Sequence, residues 1–132
     1  AALAGATRPE HHGPVPEFDV LLLGVGPDGH TASLFPGLPG VYDERAVVAV
    51  RGAPKPPPTR LSLGFPALNA ARDVWFVVTG ADKAGAVALA LGGGGRVQVP
   101  AAGVRGRRRT LWLLDRAAAA QLPPSLSRLA SP

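Results

Sequence analysis

The chain is 132 residues long, 46% apolar and 17% charged, with 17 Gly, 15 Pro and no Cys. That length holds one modest domain with a real core but not two. The lack of Cys excludes a disulfide scaffold and a thiolate metal site. No apolar stretch reaches the roughly 18 residues of a membrane span and no signal-peptide core opens the chain, so a soluble cytoplasmic protein is the default expectation.

The net charge of +5 raises the question of a nucleic-acid partner, carried by Arg105, Arg107, Arg108 and Arg109. The aromatic residues that would stack bases beside such a run are missing apart from Trp112, so a solvated loop and no nucleic acid are expected. Met and Ile are absent, Asn69 is the single Asn, and 12 Arg face 2 Lys. A GC-rich coding sequence accounts for that bias without any function. The missing Met, with the opening Ala1-Ala2-Leu3, points to processing or to a piece of a longer protein.

In chain order, residues 1–17 contain three Pro and no sustained period, and read as a helix remnant plus linker. His11 and His12 are adjacent and would point opposite ways on an extended chain, which disfavours a shared metal. Phe18 to Gly26 is a near-continuous apolar run, the pattern of a strand buried on both faces of a parallel sheet. Ala46–Val50 and Arg60–Leu63 are further strand candidates, and Pro66 opens a short helix expected to run through Ala71. Val74–Val78 is the next strand. Ala84, Val87, Ala88 and Leu91 then repeat with helical spacing, and Gly92 to Gly95 stop that helix. Leu111–Leu114 is the last strand, followed by an expected helix at Ala117–Ala120 and a stop at Pro123-Pro124. Apolar strands alternating with helices predict an α/β fold with a largely parallel sheet.

Ligands of open α/β sheets gather at the carboxyl ends of the strands. After the first strand comes Gly24-Val25-Gly26-Pro27-Asp28-Gly29-His30-Thr31-Ala32-Ser33-Leu34-Phe35-Pro36-Gly37. Gly24-x-Gly26-x-x-Gly29 matches the dinucleotide fingerprint in form. Too few residues separate Gly29 from Pro36, however, for the crossover helix on which a pyrophosphate would rest. The glycines instead suit a tight turn whose backbone N–H groups approach an anion or a developing oxyanion. An imidazole changes charge near neutral pH, so His30 at this turn suits a general base, with Asp28 as its orienting carboxylate. Ser33 completes a formal triad, but no nucleophile elbow surrounds it.

The second strand end is Thr79-Gly80-Ala81-Asp82-Lys83-Ala84. A Lys at a helix start opposes the helix dipole unless an anion sits there too, so Lys83 is a candidate phosphate ligand. Lys55 and Arg60 flank a Pro-dense loop, stiff enough to present cations to an anionic substrate at low entropic cost.

The run from Gly24 to Gly37 closely resembles the signature of the 6-phosphogluconolactonases, which share a superfamily with the glucosamine-6-phosphate isomerases/deaminases. The likeness continues through Ala53-Pro54-Lys55-Pro56-Pro57, Arg60-Leu61-Ser62-Leu63, Pro66-Ala67-Leu68-Asn69 and Val77 to Ala84, ending near Trp112-Leu113-Leu114-Asp115. It implies a three-layer α/β/α fold, present over residues 18–132 as an incomplete C-terminal portion. It also implies hydrolysis of 6-phospho-glucono-δ-lactone in the oxidative pentose phosphate pathway, without cofactor or metal. His30 corresponds to the catalytic base, with Asp28 beside it. Lys83 corresponds to a phosphate-binding lysine and Lys55 and Arg60 to the basic loop, and with the turn glycines Gly24, Gly26 and Gly29 they are the expected substrate-binding residues. The deaminase pattern places a Glu five positions after the His, where this chain has Phe35, so the lactonase is the favoured reading. The alternatives are a deaminase-like enzyme and a non-catalytic sugar-phosphate-binding domain. Family members are about twice as long, so the N-terminal half of the domain is an expected partner.

Overall fold

The computed structural model describes Gly5 and residues 15–126; His11 and His12 lie outside that range. Seven elements organise the chain: β1 (Val20–Leu23), β2 (Val47–Val50), β3 (Arg60–Leu63), α1 (Phe65–Leu68), β4 (Asp73–Val78), α2 (Ala84–Leu91) and β5 (Arg109–Leu114). Short 3-10 turns occupy Pro39–Tyr42, Ala81–Lys83 and Pro100–Gly103. Among the described residues no helix is long and apolar enough to cross a membrane.

The apolar runs pair as the alternation of strands and helices predicts. β1, β4 and β5 form a parallel sheet in the order β1-β4-β5, with Val20 opposite Asp73 and Asp73 opposite Arg109. β4 and β5 both begin earlier than their apolar runs. The reason is cross-strand: Arg109 Nη2 lies 3.0 Å from Asp73 Oδ2 in register, so an ion pair extends the ladder beyond the hydrophobic stretch. β2 and β3 stand outside this parallel sheet. They pair antiparallel with each other as a separate ladder, Val47 opposite Leu63 through Val50 opposite Arg60.

Residues paired across a parallel ladder share a face, and the two faces of the β1-β4-β5 sheet differ sharply. Val74, Phe76 and Val78 are buried in one core with Phe65 and Leu68 of α1, Ala86 and Val87 of α2, and Val48 and Val50 of β2. Phe76 stacks on Trp112 with ring centroids 4.1 Å apart. The opposite face is apolar and bare: Val20 is 44% exposed, Leu22 63%, Val77 51% and Leu113 44%. Trp75 lies on that face in register with Leu22 and Leu111, and its indole N–H is buried without a partner among the described residues. β1 is therefore not buried on both sides. Among the described residues the sheet carries one covering layer, not the two of an α/β/α sandwich.

Helix boundaries follow local chemistry. α1 stops at Leu68, three residues before the expected Ala71. α2 ends at Leu91, where the Gly92 N–H donates to the Ala88 carbonyl. The expected helix at Ala117–Ala120 is instead a series of turns, begun where Asp115 Oδ1 accepts the Ala118 N–H at 2.8 Å. Pro124 begins a helical turn instead of marking a stop, as its preset φ allows.

The basic run belongs to this scaffold. Arg107 Nη1 lies 2.7 Å from Glu17 Oε2, and Arg109 holds Asp73, both at the amino end of the sheet. Just before β5, a Cβ on Gly106 would meet Arg109 O at 2.1 Å, Arg72 O at 2.8 Å and Val74 N at 2.9 Å. All three are backbone atoms and cannot swing aside, so Gly106→Ala is expected to lower unfolding free energy by about 2 kcal/mol or more. Gly95→Ala, where a Cβ meets nothing within 4 Å, should change it by less than about 0.5 kcal/mol. Urea unfolding of both variants checks this, and equal effects would contradict the close approach.

Candidate active site

The site forms where the parallel strands deliver their carboxyl ends. Beyond β1 the chain folds into a closed turn: the Gly26 N–H donates to His30 O and the Gly29 N–H to Gly26 O, each at 2.9 Å. Gly29 takes a φ of +89°, and a Cβ there would lie 2.7 Å from Val99 Cγ1. Thr31, buried, donates its hydroxyl to Gly24 O at 2.8 Å, which ties the outgoing chain back to the strand end.

This turn places Asp28 and His30 together. Asp28 Oδ1 accepts the His30 backbone N–H at 3.0 Å and lies 2.6 Å from His30 Nδ1. Partial burial pushes the Asp28 carboxyl up. The hydrogen bonds from the His30 backbone and ring, and the ring's charge, outweigh it and leave the net shift downward. An ionised carboxylate on Nδ1 makes that nitrogen the proton carrier and leaves Nε2 with the lone pair in the neutral ring. The face of the ring rests against Phe35, centroids 4.5 Å apart. Its other constraint is Gly26, where a Cβ would fall 2.1 Å from His30 Cε1 and Nδ1. The imidazole occupies the space a side chain at residue 26 would need.

The second strand end joins the first. Gly80, at φ +102°, turns the chain from β4 into the 3-10 turn that carries Lys83 at the threshold of α2. Lys83 Nζ donates to the Val25 carbonyl, so its ammonium stands beside the His30 turn. Asp115, just beyond β5, accepts the Gly80 N–H on both carboxylate oxygens at 3.2 Å and fixes this second turn to the third strand. Asp115 is the positioning group that sequence reasoning passed over. Its signal was an acid directly after an apolar strand, in line with the other two strand ends.

The Pro-dense loop closes with the Ala53 N–H donating to Pro58 O at 2.9 Å. Arg60 turns back on it: Nε donates to Pro57 O at 2.8 Å, and Nη2 to Lys55 O at 2.7 Å and Pro56 O at 3.1 Å. Its Nη1 lies 3.4 Å from Ser33 Oγ, and its Cζ lies 5.5 Å from the Phe35 ring centroid. Lys55 is exposed on the loop.

One sequence expectation narrows here. The N–H groups of Gly26 and Gly29 are spent inside the turn and are not available to an oxyanion. The reason is that a turn this tight satisfies its own donors. Ser33 meets Ser62 and Arg60. Gly24 differs from its neighbours, since a Cβ there would meet nothing within 4 Å. Beside the turn, a cavity of about 230 Å³ opens between Phe35, Leu38, Gly40 and Arg51.

The profile of a family described as glucosamine-6-phosphate isomerases/6-phosphogluconolactonase matches residues 1–112. A 6-phosphogluconolactonase of Streptomyces coelicolor is 66% identical over 125 residues, 94% of this chain and 48% of that protein. One of Mycobacterium tuberculosis is 59% identical over 111 residues, 83% of this chain and 45% of that protein. The structure of 6-phosphogluconolactonase from Trypanosoma brucei superposes with a TM-score of 0.74 at 33% identity, covering 92% of this chain and 50% of that one. The chain thus spans about half the length of the curated relatives it matches. With the Gly24–Gly37 turn, the Lys83 turn and the parallel sheet between them in place, the chain belongs to the glucosamine-6-phosphate isomerase/6-phosphogluconolactonase family.

Proposed function

We propose that this chain carries the catalytic turn of a 6-phosphogluconolactonase, which opens 6-phospho-glucono-δ-lactone to 6-phosphogluconate. The observation that carries the reading is the Asp28–His30 pair, 2.6 Å apart, at the strand end that also receives the Lys83 ammonium. His30 Nε2 takes a proton from water as the water oxygen attacks the lactone carbonyl carbon. Asp28 steadies the imidazolium through Nδ1. The tetrahedral intermediate collapses by breaking the ring C–O bond, and the ring oxygen leaves as a hydroxyl with the proton from His30. Lys83 and Lys55 supply positive charge for the 6-phosphate, with Arg60 bordering the same side. With the N–H groups of Gly26 and Gly29 engaged inside the turn, a basic side chain is a partner for the oxyanion. Phe35, fully buried against His30, stands where the deaminase pattern has its Glu, which favours lactone hydrolysis over isomerisation.

The same reading gives the bare sheet face an occupant. The relatives are about twice as long, and the rest of the family domain is the partner that covers Val20, Leu22, Val77 and Leu113. An acceptor from it would satisfy the orphan indole N–H of Trp75. Activity assays therefore include that remaining half, and the cytoplasm is the compartment that fits the substrate.

His30→Ala is expected to lower lactone turnover by about 10²- to 10⁴-fold with an unchanged circular dichroism spectrum; near wild-type turnover would remove His30 as the base. For Lys83→Ala the expected change is a KM raised about tenfold with kcat less affected, and an unchanged KM would count against a phosphate contact. Asp28 titrates below its ordinary 3.8 in the folded state. Its ionised form therefore adds stability above that pH, which is lost as pH falls through the folded value. Urea midpoints measured from pH 6 downward should fall more steeply below about pH 4 in the wild type than in Asp28→Asn; parallel curves would contradict the pairing.

A further inference from the structure

We infer that Arg60 is a positioning residue, a clamp that holds the Pro-dense loop, and with it Lys55, against the catalytic turn. This deepens the lactonase reading and rests on it.

The loop has an imbalance of hydrogen-bonding groups. Pro54, Pro56, Pro57 and Pro58 have no backbone N–H, while every residue of the loop keeps its carbonyl. The carbonyls of Lys55, Pro56 and Pro57 must find donors outside the loop or in solvent. Arg60 meets all three with Nε and Nη2 at 2.7 to 3.1 Å. A planar guanidinium presents its donors in a fixed fork, which a Lys ammonium cannot reproduce.

The remaining arm ties the loop to the site. Nη1 reaches Ser33 Oγ at 3.4 Å, while the Ser33 N–H donates to the buried Ser62 Oγ at 3.0 Å. Ser62 lies on β3, two residues beyond Arg60. Ala32, just before Ser33, is held at φ +49°, a conformation a non-glycine residue adopts at a cost. That bend belongs to the segment that brings Ser33 to β3. The guanidinium also lies over Phe35, the ring on which His30 rests. One side chain thus touches the loop, the segment after the catalytic turn and the aromatic floor of the imidazole. With its donors so engaged, Arg60 acts through Lys55 and the turn, and Lys55 is the cation of this loop that faces substrate.

The test reads the loop directly. The Ala53 amide, bonded to Pro58 O across the loop, reports its closure by hydrogen exchange, a measurement that needs no turnover and so stands apart from whether a lactone is hydrolysed. Arg60→Ala and Arg60→Lys are each expected to speed Ala53 exchange about tenfold or more, with β4 amides unchanged. Should Arg60→Ala also loosen β4, Arg60→Lys carries the comparison. Ala53 exchange within about twofold of wild type would overturn the clamp. In lactone assays that include the remaining half of the domain, Arg60→Ala should raise KM about tenfold, and Lys55→Ala added to it should change KM less than twofold further. Added guanidinium ion should lower the Arg60→Ala KM towards wild type, whereas Arg60→Lys should not restore it. Fully additive KM effects of Lys55 and Arg60 would make Arg60 a separate substrate ligand and overturn the proposal.

Discussion

The site depends on a space that residue 26 leaves empty. His30 folds its imidazole into the volume a Cβ on Gly26 would take, 2.1 Å from two ring atoms. Asp28 seals the arrangement by accepting from both the backbone and the ring of His30. Any side chain at residue 26 would expel the ring, and with it the carboxylate contact that fixes which nitrogen carries the proton. The turn's backbone closes on itself through Gly26 and Gly29, which stiffens the platform but consumes donors an anion would otherwise use. Rigidity of the imidazole and availability of backbone N–H groups thus compete in this short segment, and rigidity has won.

The two ends of the parallel sheet divide the charged residues by role. At the amino end Arg107 and Arg109 are matched to Glu17 and Asp73, where they brace the strands. At the carboxyl end Lys83 turns towards a backbone carbonyl and Lys55 stands exposed on its loop, so these cations remain open to an anionic ligand. Part of the positive charge is thus spent on bracing strands at one end of the sheet, while the two lysines stand elsewhere. Asp115 links the ends of β4 and β5 through Gly80, so the position of Lys83 is set by the sheet and not by its own turn alone.

Much of this was legible in the sequence because the signals were local. The apolar runs gave the strands of the parallel sheet, the spacing from Ala84 to Leu91 gave α2, and the glycines around Asp28 and His30 marked the turn. What stayed hidden depended on contacts between distant segments. The ion pair of Asp73 with Arg109 lengthens two strands with residues that look like loop. The antiparallel pairing of β2 with β3 leaves no trace in either run. The turns at Ala117–Ala120 owe their form to a carboxylate outside the alanine run, because propensity alone favours a helix there. Arg60 reads as a free cation until its loop is seen to fold back upon it. The apolar run of β1 reads as a strand buried on both faces, yet Val20 and Leu22 stand exposed, because an apolar run records which residues are greasy and not what covers them.

Binding of the product of the proposed reaction reads the central claim, that the ends of β1 and β4 form one sugar-phosphate site, without relying on turnover. In an amide NMR titration with 6-phosphogluconate, run on the chain joined by the remaining half of its domain, the account predicts that Val25 to Thr31 and Gly80 to Lys83 shift together along one saturating curve. Shifts confined to the basic run at Arg105 to Arg109, or none at either strand end at saturating product, would contradict it.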